Sequence, residues 1–157
     1  MEARSKWHDD TVRRINSHKD TLNQKEQKKY KLDLLLRITK RVDDFSSACG
    51  ECHLSQSEIT KLTEDLGFLL QMPNPDKEKR KSYLKTINNI TKHLQKQHKL
   101  VTEGYYLGIG TAIGVGIGAV IGAALGNSGA GTGIGVALGL AIGKYLDDKA
   151  KKEGRII

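Results

Sequence analysis

A stretch of forty residues without a single charge, at positions 104–143, constrains this chain more than any other feature. It holds 14 of the 17 glycines, and most of the remainder is isoleucine, valine, leucine or alanine. Because about 20 helical residues cross a bilayer core of about 30 Å, the stretch is too long for one span and suits two. We therefore predict a transmembrane helical hairpin, with spans over 105–126 and 129–146 and a polar turn at Asn127 and Ser128.

Glycine recurs at every fourth position in both predicted spans. Small residues at this spacing let two helix backbones approach closely in lipid, where the backbone must form its own hydrogen bonds. A second row of small residues lies about 200° around each helix, which leaves a face for a neighbouring chain and predicts a homo-oligomer. The predicted helix-packing residues are Gly110, Gly114, Gly118, Gly122 and Gly126 in the first span, and Gly131, Gly135, Gly139 and Gly143 in the second.

Aromatic and basic residues mark both open ends of the predicted hairpin. Tyr105 and Tyr106 begin the first span, and Lys144 and Tyr145 end the second. Since tyrosine and lysine favour the membrane–water interface, both ends are expected at the same surface. Lysine and arginine flank these ends and are absent from the turn, which indicates cytoplasmic termini. The expected location is the bacterial inner membrane, with anionic lipid headgroups as partners of the flanking basic residues.

The hairpin combines small-residue repeats, an asparagine near the turn and a closing Gly-x-Tyr-x-Asp. These features occupy Ile117–Asn127 (IGAVIGAALGN) and Gly133–Asp147 (GIGVALGLAIGKYLD). Over about residues 107–150 the sequence resembles the bacterial glycine-zipper two-transmembrane family. The resemblance implies membrane association and helix packing, and it implies no activity. Members of that family are often lipoproteins with the zipper near the N-terminus; this chain departs from that pattern, so we do not transfer their location.

The part of the chain before the hairpin predicts a bundle of three helices. Apolar residues at helical spacing predict an amphipathic helix over about 24–48. A Ser-x-x-Glu capping box at Ser55 predicts the start of a second helix, which Pro73 and Pro75 would end, and Asp76 is suited to cap the third. Before residue 24 apolar positions are sparse, and we expect any helix there to be exposed or paired with a neighbour.

These observations predict an all-α chain in three parts. They are a basic helical cytoplasmic domain over 1–103, the transmembrane glycine-zipper hairpin over 104–146, and a charged cytoplasmic tail over 147–157. The formal net charge is +8, but basic and acidic residues are interleaved and no recognition motif is present. We therefore expect no nucleic-acid partner.

Two cysteines and two histidines have the spacing of metal ligands. Cys49 and Cys52 form Cys-x₂-Cys, and His93 and His98 form His-x₄-His, which are ligand spacings for tetrahedral zinc. Two antiparallel helices of equal length would bring His93 back to the level of the cysteines. His98 lies about 140° around and about 7.5 Å further along, so it joins only where the helix loosens. A structural zinc ion is the cofactor we expect, with Cys49, Cys52 and His93 as ligands and His98 or His53 as the fourth.

Three other interpretations of the cysteines stay open. Cys-x-x-Cys-His, ending at His53, is the attachment pattern of c-type haem, which needs an exported domain. A thiol redox pair usually occurs in a thioredoxin-like βαβ context, which this sequence does not predict. Buried cysteines with solvated histidines would need no ligand.

No nucleophile–base arrangement is visible, so the sequence predicts a non-enzymatic membrane protein. We expect a cytoplasmic helical module, anchored by a self-associating hairpin, that acts as a scaffold or assembly partner. The first alternative is a pore-forming or membrane-permeabilising effector controlled by the cytoplasmic bundle. The second is a metal- or redox-responsive membrane regulator, which depends on Cys49 and Cys52.

Overall fold

The computed structural model describes residues 4–72 and 76–157, and over these ranges the chain is all-helical, as predicted. It divides into two compact units, residues 1–98 and residues 99–157. The helices of the first unit are α1 (Lys6–Asp20), α2 (Gln24–Lys29), α3 (Leu32–Phe45), α4 (Gly50–Gln71) and α5 (Lys77–Gln97). Those of the second are α6 (Tyr105–Ala124) and α7 (Ser128–Lys152).

Helix α1 belongs to the bundle of its own chain. Ser5 caps it by accepting a hydrogen bond from the backbone N–H of His8 at 3.1 Å. Its few apolar positions suffice because Ile15 is fully buried and the helix contacts both α3 and α4. The indole N–H of Trp7 donates to Thr60 Oγ1 on α4 at 3.0 Å. The helix expected to be exposed or paired with a neighbour is therefore an integral part of the first unit.

The helix predicted over 24–48 is broken into α2 and α3. Lys31 lies at the break with a φ of 52°, in the left-handed region that non-glycine residues rarely adopt. On either side of it, Tyr30 and Leu32 are both buried. The carbonyl oxygen of Tyr30 accepts a hydrogen bond from the hydroxyl of Tyr83 on α5 at 3.1 Å. These tertiary contacts stabilise a conformation that the local sequence does not favour.

Helix α4 begins earlier than predicted. Its N-cap is Cys49, and Ser55 lies inside the helix, where its hydroxyl donates to the carbonyl oxygen of Glu51 at 2.8 Å. The capping box predicted at Ser55 is therefore wrong. The cap predicted for α5 is confirmed, since the Asp76 side chain accepts from the N–H of Glu78 at 3.0 Å. Pro73 and Pro75, predicted to end α4, lie outside the described residues.

Large apolar side chains from α3, α4 and α5 form the core of the first unit. Each such side chain contributes about 1.5–3 kcal/mol when it is buried. The helices are amphipathic, so one face of each supplies the core and the opposite face is polar. Fully buried core residues are Leu32, Leu35, Ile38 and Val42 on α3, Ile59 and Leu66 on α4, and Ile87 and Leu94 on α5.

The second unit is an antiparallel hairpin of α6 and α7. Both helices are long and apolar enough to cross a membrane. The turn follows the predicted position, because Gly126 has a φ of 71° and Asn127 caps α7 by accepting from the N–H of Ala130 at 3.1 Å. Helix α7 continues through residues 147–152, so the first half of the predicted tail is helical.

Candidate metal centre and hairpin interface

Four ligand atoms meet where α4 begins and α5 ends. Cys49 is the N-cap of α4 and Cys52 lies in its first turn, while His93 lies in the last turns of α5. His98 is the C-cap of α5, so the helix ends where the sequence required it to loosen. The sulfur and ring nitrogen atoms of these four residues all lie within 4.8 Å of one another.

The distances within this cluster fit a tetrahedral metal ion. Nε2 of His93 lies 3.4 Å from Sγ of Cys49 and 3.4 Å from Sγ of Cys52. Nε2 of His98 lies 3.3 Å from Sγ of Cys52. Zinc bonds of about 2.3 Å to sulfur and about 2.0–2.1 Å to nitrogen put such ligand pairs about 3.6 Å apart at tetrahedral angles. The four residues are therefore placed so that they could hold a metal ion.

Glu51 orients one of the imidazoles. Its Oε2 lies 2.9 Å from Nδ1 of His93, and the His93 side chain is buried. A proton held on Nδ1 by this carboxylate leaves the lone pair of Nε2 directed toward the sulfurs. Carboxylate partners of this kind fix the tautomer and raise the basicity of histidine ligands. The sequence analysis missed Glu51, although its position between the two cysteines is a usable signal.

The second imidazole is held by an aromatic ring. Phe45, the last residue of α3, stacks on His98 with ring centroids 3.9 Å apart and an interplanar angle of 16°. The His93 and His98 rings meet edge to face with centroids 5.3 Å apart. The ends of three helices therefore converge on the cluster. No local pattern in the sequence identifies Phe45 as part of it.

The surroundings of Cys52 and His98 favour the neutral forms of these two side chains in the absence of a cation. Burial, with a contribution from Cys49, raises the pKa of the Cys52 thiol to about 12. Burial, together with the nearby charge of His93, lowers the pKa of His98. A bound divalent cation would favour the thiolate over the thiol, because it stabilises the negative charge on sulfur directly.

The third residue of the haem-attachment pattern, His53, does not join the two cysteines in the cluster. His53 is exposed and lies outside the cluster of four. Both cysteines are free thiols, and their sulfurs face the two imidazoles. The metal interpretation uses all four residues and explains the positions of Glu51 and Phe45, which the other interpretations do not.

In the second unit, eight of the nine predicted packing glycines face the backbone of the opposite helix. A Cβ at Gly118 would lie 2.5 Å from the carbonyl oxygen of Gly131, and one at Gly143 would lie 2.5 Å from that of Tyr106. Gly126 differs, because it is a turn residue with open space around it, so its assignment to the packing row was wrong. The eight are Gly110, Gly114, Gly118, Gly122, Gly131, Gly135, Gly139 and Gly143.

Asp147 closes the open end of the hairpin. Its carboxylate accepts hydrogen bonds from the backbone N–H groups of Tyr106 at 3.1 Å and Leu107 at 3.0 Å. It therefore satisfies the first turn of α6 from the far end of α7, a partnership that the closing Gly-x-Tyr-x-Asp motif did not by itself reveal. Val101 also forms a parallel β-bridge with Ile156 beside this end.

The outward surface of the hairpin is apolar. Bulky side chains such as Ile113, Val120 and Leu138 are exposed. The predicted interface residues Tyr105, Lys144 and Tyr145 are exposed too, and Tyr106 is half-buried. A Cβ at Gly108, Gly116 or Gly133 would meet open space, so this second row is unused within the chain.

Comparison of the chain with protein-family models, with curated proteins and with solved structures returned no match. The resemblance of residues 107–150 to the glycine-zipper two-transmembrane family therefore stays a prediction.

Proposed function

We propose that this chain is a non-enzymatic membrane protein that displays a metal-clasped helical unit in the cytoplasm. One observation carries the proposal: α6 and α7 pack through glycine and expose isoleucine, valine and leucine. A helical pair in water would have the opposite arrangement, and lipid is the solvent that suits this one. The proposed location is the bacterial inner membrane, and the lysine and arginine residues that flank the hairpin support cytoplasmic placement of both termini.

The proposed metal is a structural zinc ion. Two thiolates and two imidazoles form a closed donor set of the kind that structural zinc sites use, and they leave no vacant position for substrate. Such an ion would join the turn between α3 and α4 to the end of α5. Its contribution would be to stability, since binding energy at a preformed structural site is folding energy.

The proposed role is that of a scaffold or assembly partner that self-associates through the hairpin. The support is the second row of small residues, which includes Gly108, Gly116 and Gly133 and lies on the outside of the hairpin. Rows of this kind let helices of neighbouring chains approach closely in a bilayer. Each homo-oligomer would then display several copies of the metal-clasped unit.

Fractionation and metal analysis test the two halves of this proposal. We expect the chain to stay with membranes after alkaline carbonate extraction and to be released only by detergent. Purified protein should contain one zinc per chain by mass spectrometry. Cys52→Ser should lose it, whereas His53→Gln, at the adjacent exposed position, should keep it. A chain recovered in the soluble fraction would refute the anchor, and metal-free protein would refute the clasp.

The permeabilising alternative needs a polar path through the hairpin. The Thr111 hydroxyl donates to the carbonyl oxygen of Leu107 within its own helix, which uses its single donor. Release of dye from liposomes by the purified protein would favour this alternative over the scaffold. A metal-responsive regulator is instead favoured if removal of zinc changes the oligomeric state.

A further inference from the structure

Helix α5 carries a stripe of lysines on the face opposite the core. The helix contains seven lysine and arginine residues and one acidic residue, Glu78. Five of its lysines follow one another at intervals of four or seven residues, which keeps them on one side. Their mean direction lies about 150° around the helix from that of the core residues. These five, which we call the basic stripe, are exposed: Lys77, Lys81, Lys85, Lys92 and Lys96.

Within the described part of the chain, the stripe has no carboxylate partner in a salt bridge. A further cation comes from outside α5, because Nζ of Lys31 donates to Oδ1 of Asn88 at 3.3 Å, and Asn88 lies between Lys85 and Lys92 on the same face. Four of the stripe lysines line a shallow surface groove together with Arg80 and the single acidic residue Glu78. Several like charges collected on one face indicate a polyanionic partner.

The chemistry of this face favours phosphate headgroups over nucleic-acid bases. Lysine binds phosphate as a point charge, while stacking on bases needs exposed aromatic rings. The only aromatic ring of α5 apart from that of His93 belongs to Tyr83, which is buried and whose hydroxyl donates a hydrogen bond to the carbonyl oxygen of Tyr30. The uncharged side chains that line this face beside the stripe lysines are Leu84, Asn88 and Asn89, which offer no stacking surface.

We propose that the basic stripe binds the anionic headgroups of the membrane in which the hairpin is anchored. This inference rests on the membrane anchor proposed above. Only residues 98–104 separate α5 from α6, and seven extended residues span at most about 25 Å. The tether therefore limits how far the C-terminal end of α5, which carries Lys92 and Lys96, can lie from the start of α6, and basic residues close to a span are attracted to anionic lipid. The hairpin anchors the chain in the membrane, and the basic stripe gives it a preference for anionic lipid headgroups.

Lysine labelling in lipid nanodiscs tests the inference on the full-length chain. The protein is reconstituted in discs of phosphatidylcholine alone or with one third phosphatidylglycerol, then treated briefly with an amine-reactive ester and mapped by mass spectrometry. We expect phosphatidylglycerol to lower labelling of the stripe at least threefold at 0.1 M salt, and 1 M salt to restore it. Lys6 and Lys61, exposed on α1 and α4, are the matched controls and should not change.

Each outcome has a defined meaning. Equal labelling in both discs, or equal protection of Lys6 and Lys61, would overturn the stripe and leave the anchor intact. A chain that does not co-elute with either disc would overturn both. Stronger protection by a single-stranded RNA in neutral discs than by phosphatidylglycerol would assign the stripe to nucleic acid instead. A Lys81→Gln/Lys85→Gln variant with unchanged zinc content should lose protection at Lys77 and Lys92, which separates charge from folding.

Discussion

The two units of this chain pack their helices by opposite rules. In the first unit, leucine and isoleucine side chains fill the space between α3, α4 and α5. In the second, α6 and α7 touch through glycine, so that backbone meets backbone. The difference follows from the solvent that each is suited to. In water, the burial of large apolar side chains stabilises helix packing. In lipid this driving force is absent, so membrane helices associate through close van der Waals contact.

The largest expected effect comes from adding a side chain to the hairpin interface. A Cβ at Gly114 would lie 2.9 Å from the carbonyl carbon of Gly135, so Gly114→Leu forces the helices apart. We expect a loss of more than about 3 kcal/mol in the free energy of unfolding, measured by circular dichroism during transfer from mild detergent to SDS. Gly116→Leu, on the open side of the same helix, should unfold like the unmodified chain while weakening self-association.

The opposite change is the informative one in the first unit, where removing side-chain volume from the core should destabilise the fold. Leu66 is fully buried, and Leu66→Ala should lower the free energy of unfolding by about 3 kcal/mol. Leu54 lies on the same helix with 68% of its surface exposed. Leu54→Ala should therefore change the free energy of unfolding by less than about 0.5 kcal/mol. Urea unfolding followed through Trp7, the only tryptophan, reports on this unit. Equal effects of the two variants would contradict the assigned core.

In both units, a carboxylate on one helix pairs with N–H groups on another helix that is distant in the sequence. In the first unit, Glu51→Ala removes the acceptor for His93 Nδ1. We expect metal affinity to fall about 10–100-fold, by competition with a chromogenic chelator. Glu58→Ala, at an exposed position on the same helix, should leave affinity unchanged. An unchanged affinity for the Glu51 variant would mean that the carboxylate does not orient the ligand.

The counterpart in the second unit has the smallest expected effect. Asp147→Ala leaves the N–H groups of Tyr106 and Leu107 without their acceptor, and should lower hairpin stability by about 1 kcal/mol. Asp148→Ala, at the exposed neighbouring position, should have little effect. The same SDS unfolding experiment measures both variants. If both were neutral, water would have replaced the cap and the hairpin end would be open to solvent.

Several features could be predicted from the sequence because short-range periodicity or residue type carries them. The two C-terminal helices, the turn at Asn127 and the helix cap at Asp76 follow from apolar spacing and capping chemistry. The four candidate ligands follow from the spacing of cysteine and histidine. The packing role of Gly126 was wrong, since a glycine that continues a repeat and one that ends a helix in the left-handed conformation look alike in sequence.

The sequence alone determined that the chain has two regions of different composition. One is amphipathic and helical, and the other is uncharged and rich in glycine, with bulky residues that have no core to fill. Only the tertiary structure decided how distant residues combine. The break at Lys31, the pairing of Glu51 with His93 and the cap that Asp147 supplies to α6 all depend on contacts between residues many turns apart. Local periodicity records which face of a helix is apolar, but it holds no information about which side chain another helix brings to that face.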